Sequence, residues 1–150
     1  MKLAEPVLVT RRIVASAYYA YSTGLMARIA GILGKTADQK KYSELNEKIK
    51  KAFAAAYVSS NGMLKPSLQG VYILALQFDL IPASVKHKSV THLVELIRDN
   101  GDRLDAGFLS IPFLMDVLSN NGHRDIAYKI LFKDQSPSWL YEVKKGATTI

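Results

Sequence analysis

The stretch LQGVYILALQFDL, residues 68 to 80, constrains the fold more than any other. It follows Pro66 and Ser67, precedes Pro82, and is apolar almost all round. A helix of that kind must be buried on most of its sides, so its neighbours have to wrap it. The segments on either side are built to do so. Before it, Thr36-Ala37-Asp38-Gln39 has the T-x-x-Q form of a capping box, and the helix it opens carries Tyr42, Leu45, Ile49 and Phe53 on one face until SSNG ends it. After it, about Val85 to Asp99, Val90, Leu93, Val94 and Ile97 share a face opposite Lys86, Lys88 and Arg98, and Gly101 closes the helix.

The pattern continues in both directions. From about Val7 to Leu33, apolar residues at Val14, Tyr18, Tyr21, Leu25, Ile29 and Ile32 are spaced by three and four and predict one buried stripe, closed by Gly34. Pro112 to about Asn120 predicts a fifth helix, with proline in its first turn and Asp116 as almost its sole charge, so it too is largely buried. Arg124 to about Phe132 predicts a sixth, burying Ile126, Ala127, Ile130 and Leu131, and a last short turn, Pro137 to Lys145, ends at Gly146. Amphipathic and apolar helices therefore alternate. That order predicts an all-α fold of antiparallel hairpins in two layers, an inner one buried on both sides and an outer one wet on one. The connections Ser59–Ser67, Asp102–Ile111 and Asp134–Ile150 are then expected at one common end, where function is sought.

Other classes are disfavoured. The net charge is +7, but Lys40, Lys41, Lys48, Lys50 and Lys51 share a helix with Asp38, Glu44 and Glu47, and Lys144 and Lys145 precede a capping glycine. This is the pattern of solvated helix faces and favourable helix ends, not of a nucleic-acid surface. No apolar run approaches the ~20 residues that cross a bilayer, so no membrane partner is expected. The absence of cysteine excludes disulfides and thiolate chemistry. His87 and His92 are five apart and His123 opens a helix, which predicts no metal site, and no phosphate-binding or nucleophile-elbow motif suggests a cofactor. Copied repeats are absent. What remains is carboxylate chemistry. Asp102, Asp105 and Glu142 lie in the long connections, where two acids across a pocket suffice for glycoside hydrolysis, and where solvated or capping roles are equally open. Trp139 and Tyr141 can stack on a sugar ring and Phe108 can wall a pocket, or all three can anchor loops.

Longer words then narrow the field. AYYAYSTGLMARIAGILGKTADQKKY, QGVYILALQFDLIP, GFLSIPFLMDVLSNNGHRDIAYKIL and PSWLYEVKKGATTI, in that order and spacing, resemble the C-terminal half of the catalytic domain of bacterial α-L-rhamnosidases of glycoside hydrolase family 78. The resemblance covers nearly the whole chain. It implies part of an (α/α)6 toroid across residues 1–150 and an inverting hydrolase of terminal α-linked rhamnose. In such an enzyme one glutamate protonates the leaving oxygen and another activates water, their carboxyls about 6.5–9.5 Å apart.

In that family G-A-T-T runs on into Trp-Glu, the glutamate being the general base, and the acid lies upstream of anything matching Met1. No catalytic residue is therefore expected among these 150 residues, and the chain alone is expected to be inactive. The resemblance assigns Gln69, Phe108, Trp139, Tyr141 and Thr148 to the substrate wall or its support, for a rhamnose-containing carbohydrate. Ser110 stands where the family has glycine, and Ser136 where tyrosine is common. Part of a toroid leaves inner-helix surface open, so self-association is expected. The alternative is a self-contained helical module that grips a protein or peptide in its groove. Neither reading fixes the compartment.

Overall fold

The computed structural model describes residues 5–148. Thr149 and Ile150, part of the G-A-T-T loop, lie outside the described residues, as do residues 1–4. Seven α-helices follow one another, and a lone bridge between Val58 and Leu64 is the one piece of strand pairing among the described residues. The all-α expectation is met.

Helices α1 (Glu5–Ile32) and α2 (Thr36–Tyr57) form the longest hairpin. Gly34, at φ +65°, makes the reversal, and the Lys35 N–H donates to the Ala30 carbonyl at 2.8 Å. This turn displaces the expected capping box: Lys35 precedes the first helical residue, and no side chain caps α2.

The face of α1 also differs from the stripe read in the sequence. Its buried residues are Ile13, Ala17, Ala20, Thr23, Ala27 and Ala30, whereas Tyr21, Ile29 and Ile32 are exposed. Small side chains let α2 approach closely, and the approach is fixed by Asn46, whose Nδ2 donates to the Ala20 carbonyl at 2.6 Å and to Thr23 Oγ1 at 3.2 Å. Helical period alone does not distinguish an alanine face from a tyrosine face one position away.

Helix α3 (Gln69–Gln77) is buried from Val71 through Leu76, as its apolar circumference requires. Against it pack α1, α4 (Ala83–Asp99) and the 3₁₀ turn Ile111–Phe113 that leads into α5 (Leu114–Asn120). The inward face of α4 is the one read from the sequence: Val90, Leu93, Val94 and Ile97 are all buried. Helix α6 (Arg124–Leu131) buries Ile126, Ala127 and Ile130, but Leu131, expected inside, is exposed at the helix's last residue. Helix α7 (Trp139–Lys144) begins at Ser138, whose Oγ accepts the Tyr141 N–H at 3.2 Å. A side-chain oxygen in that position satisfies one of the first-turn donors a helix otherwise leaves open.

The starts of α3, α5 and α7 converge. Gln69 at the start of α3 reaches the 102–110 connection, and Leu104, Ala106, Pro112, Pro137 and Trp139 share one groove. The 59–67 connection departs from the expected common end. Its tip packs on the side of α4, where Ser89 Oγ donates to the Gly62 carbonyl at 2.7 Å. Gly62 has φ +81°, and a Cβ there would stand 2.8 Å from the Val85 carbonyl oxygen, so the close approach needs glycine. Only the exit of this connection, at Leu68, reaches the grooves.

Candidate functional site

The connection between α4 and the 3₁₀ turn is the centre of the converging end, and side chains distant in sequence hold its backbone. Gln69 is 3% exposed. Its Nε2 donates to the carbonyls of Arg103 at 3.3 Å and Leu96 at 3.4 Å, and its Oε1 accepts the Asp105 N–H at 3.1 Å. A buried primary amide is costly unless its donors and acceptor are matched, and here all are. From α6, Lys129 Nζ pairs with Asp102 Oδ2 at 2.6 Å, and from just after that helix Lys133 Nζ donates to the Gly101 carbonyl. Further on, Ser110 Oγ donates to the Gly107 carbonyl at 2.9 Å, and the Tyr18 hydroxyl donates to the Leu109 carbonyl at 2.8 Å.

Two open grooves flank this connection. The larger, of about 700 Å³, runs between Leu104, Ala106, Ile111, Met115, Trp139 and Glu142. The smaller, of about 350 Å³, lies toward α1, between Val14, Leu68, Leu74, Asp105 and Leu109. Phe108 lines both, and the residue is 83% exposed between them. Trp139, partly buried against the core, gives the larger groove an aromatic wall.

The five residues assigned by the resemblance therefore divide. Phe108 and Trp139 share the larger groove. Gln69 lines neither groove and acts on the connection that carries Phe108. Tyr141 lies beside the groove, its ring 5.6 Å from Lys145 Nζ, and Thr148 is exposed at the end of the described residues; neither lines a groove. Of the three acids weighed, Asp102 is committed to Lys129, while Asp105 and Glu142 each line one groove. Leu104, Met115 and Tyr18 were missed in the sequence, because apolar walls and a contact spanning 91 residues carry no local signal.

One acid nearby is electrostatically perturbed. Asp134, just before α7, is held below its ordinary value of 3.8 by a hydrogen bond from Lys144 and by that ammonium's charge. The distance from Lys144 Nζ to Asp134 Oδ2 is 2.7 Å. The described residues contain no group of three or more histidine, cysteine, aspartate or glutamate side chains able to hold a metal ion, and none of their helices is long and apolar enough to cross a membrane.

Helical hairpins with an aromatic-walled groove where buried helices begin are the architecture of a helical-hairpin glycosidase domain. Over residues 9–150 the chain matches the family described as the bacterial alpha-L-rhamnosidase 6 hairpin glycosidase domain, and it belongs to that family. It is 41% identical to an α-L-rhamnosidase of Streptomyces avermitilis over 138 residues, covering 92% of this chain and 13% of that protein. The crystal structure of S. avermitilis α-L-rhamnosidase complexed with L-rhamnose superposes with a TM-score of 0.88, at 41% identity over 92% of this chain and 13% of that one. An α-L-rhamnosidase of Formosa agariphila is 39% identical over 140 residues, covering 92% of this chain and 15% of that protein. Native α-L-rhamnosidase from Aspergillus terreus superposes with a TM-score of 0.83 at 34% identity, over 86% of this chain and 15% of that one. The chain thus spans 13–15% of the length of these relatives.

Proposed function

We infer that this chain forms part of the substrate wall of an inverting α-L-rhamnosidase, and that the larger groove receives the rhamnosyl residue of a rhamnose-containing carbohydrate. The observation that carries the reading is the pairing of Trp139 and Phe108 across a groove otherwise walled by Leu104, Ile111 and Met115. Rhamnose is a 6-deoxy sugar, so it presents a methyl group and C–H faces as well as hydroxyls. Aromatic and aliphatic walls suit the former, and a few polar groups fix orientation. Glu142 is one such group, at the groove's edge. Gln69 serves by holding the connection that carries Phe108, and Tyr141 and Thr148 act from α7 and the loop after it.

The resemblance places the acid and the base outside the residues matched here, so these 150 residues shape a site and do not cleave by themselves. The chain holds a single tryptophan, which makes its fluorescence a report on the groove. L-Rhamnose is expected to change Trp139 emission saturably, with D-glucose much weaker, while an aryl α-L-rhamnoside is left intact. Equal responses to both sugars, or measurable aryl release, would refute the reading.

A second reading concerns association. Helix α1 exposes Met26, Ile29 and Ile32 on the side turned away from α2, a surface suited to docking on another apolar face. The rival peptide-gripping module accounts for the hairpins and leaves the family match without a cause.

A further inference from the structure

Phe108 presents a physical problem. An exposed phenylalanine on a free loop samples many rotamers, and ordering it on binding costs about as much as one ring–sugar contact returns. The backbone beneath Phe108 is not free. On its N-terminal side the Gly107 carbonyl accepts both the Ser110 hydroxyl and the Ser110 N–H, each at 2.9 Å. On its C-terminal side the Leu109 carbonyl accepts the Tyr18 hydroxyl at 2.8 Å. Tyr18 is itself held: its ring meets Phe78 edge-on with centroids 5.3 Å apart, and Tyr21 edge-on at 6.2 Å. Phe78 meets Phe113 in turn at 5.3 Å, so an aromatic cluster ties α1 to the end of α3 and to the 3₁₀ turn. The backbone on both sides of the exposed ring is therefore fixed, and on one side the fixing group comes from α1.

We propose that Tyr18 is a positioning residue for substrate: by holding the Leu109 carbonyl it presets the ring of Phe108 as a stacking face for the rhamnosyl group. The proposal rests on the reading of the grooves as a rhamnoside site. Its hydroxyl is the separable part, because the ring belongs to the aromatic cluster whether or not the oxygen is present.

Tyr18→Phe tests this with little risk to the fold. In the 150-residue chain, amide hydrogen exchange at Phe108 to Ser110 and the order of the Phe108 ring by NMR are measured beside L-rhamnose binding followed through Trp139. The variant is expected to speed exchange in this segment, and to weaken L-rhamnose, by on the order of fivefold, the factor that one neutral hydrogen bond commands. Exchange in α3 stays unchanged. Tyr19→Phe, an exposed neighbour on α1, changes neither.

In a Phe108→Ala background, Tyr18→Phe has no further effect on sugar binding, a result that a merely structural tyrosine does not give. Equal weakening in both backgrounds, or unaltered exchange around Phe108, overturns the proposal. Should wild-type chain fail to respond to L-rhamnose, the functional reading falls separately. Loop exchange and ring order then decide the role of Tyr18: lost order in the variant supports it, and retained order overturns it.

Discussion

At the scale of single residues, Ser110, at a position where the resemblance leads glycine to be expected, has a consequence elsewhere. Ser110 is 3% exposed, and its Oγ is committed to the Gly107 carbonyl. A Cβ on Gly70 would stand 2.8 Å from that Oγ, closer than the Cβ atoms of folded proteins approach a neighbour. Gly70 is therefore imposed by Ser110 and not by backbone conformation, since it lies inside α3 without a positive φ. Gly70→Ala is expected to destabilise by about 1–3 kcal/mol, the usual cost of overpacking, against the gain of ~1 kcal/mol that alanine brings to a helix. With Ser110→Gly in place the obstruction is gone, and the same change becomes neutral or stabilising. Urea melts of the four proteins of this cycle measure the coupling, and strict additivity would contradict it.

At the scale of elements, α7 carries Trp139 and is short, so its ends matter more than its interior. The Ser138 cap secures one end, and the ion pair of Lys144 with Asp134 ties the other back to the preceding segment. Because Asp134 is held below 3.8 in the fold, the pair contributes fully above that value and is lost as pH falls through the depressed value. Acid titration of Trp139 fluorescence is expected to show a transition below pH 3.8 that Asp134→Asn removes while the plateau near pH 7 is kept. Identical acid limbs in the two proteins would separate α7 from this pair. The effect is small, since the carboxylate is open to solvent.

The same scale shows what sequence could and could not reveal. The burial of α3 was legible because it is apolar almost all round, and the face of α4 because charge and apolarity separate cleanly around it, down to Val90, Leu93, Val94 and Ile97. The face of α1 was not, because alanines and tyrosines both count as apolar and only the nearness of α2 selects between them. Phe108 and Trp139 were legible as loop aromatics able to wall a pocket or stack on a sugar, or to anchor loops, and the resemblance then assigned them to the substrate wall. Their shared groove depends on contacts such as Gln69 with Asp105, 36 residues on, and Tyr18 with Leu109, 91 residues on, which no local pattern encodes.

For the whole molecule, the apolar surface of α1 and the net charge act in opposite directions. Ile29 and Ile32 lie one turn apart, exposed to 48% and 85%, with Met26 beside them. Burying such side chains against a second copy is worth roughly 25 cal/mol per Å² of apolar area, from which the cost of bringing two molecules together must be subtracted. Each copy carries a formal charge of +7, so repulsion adds to that cost at low salt and fades as the Debye length shortens to ~3 Å near 1 M. Apparent mass by light scattering is therefore expected to rise with protein concentration and to rise further with added salt. Ile29→Glu with Ile32→Glu leaves the α1–α2 contact intact, because that contact is made at Ala20 and Thr23, which hold Asn46, and where Gly24 and Gly31 lie beside Asn46 and Gln39. The double variant should remain monomeric across the same range with an unchanged helical circular dichroism spectrum. A wild-type chain that stays monomeric in high salt, or a double variant that associates equally, would mean that this face of α1 does not drive association.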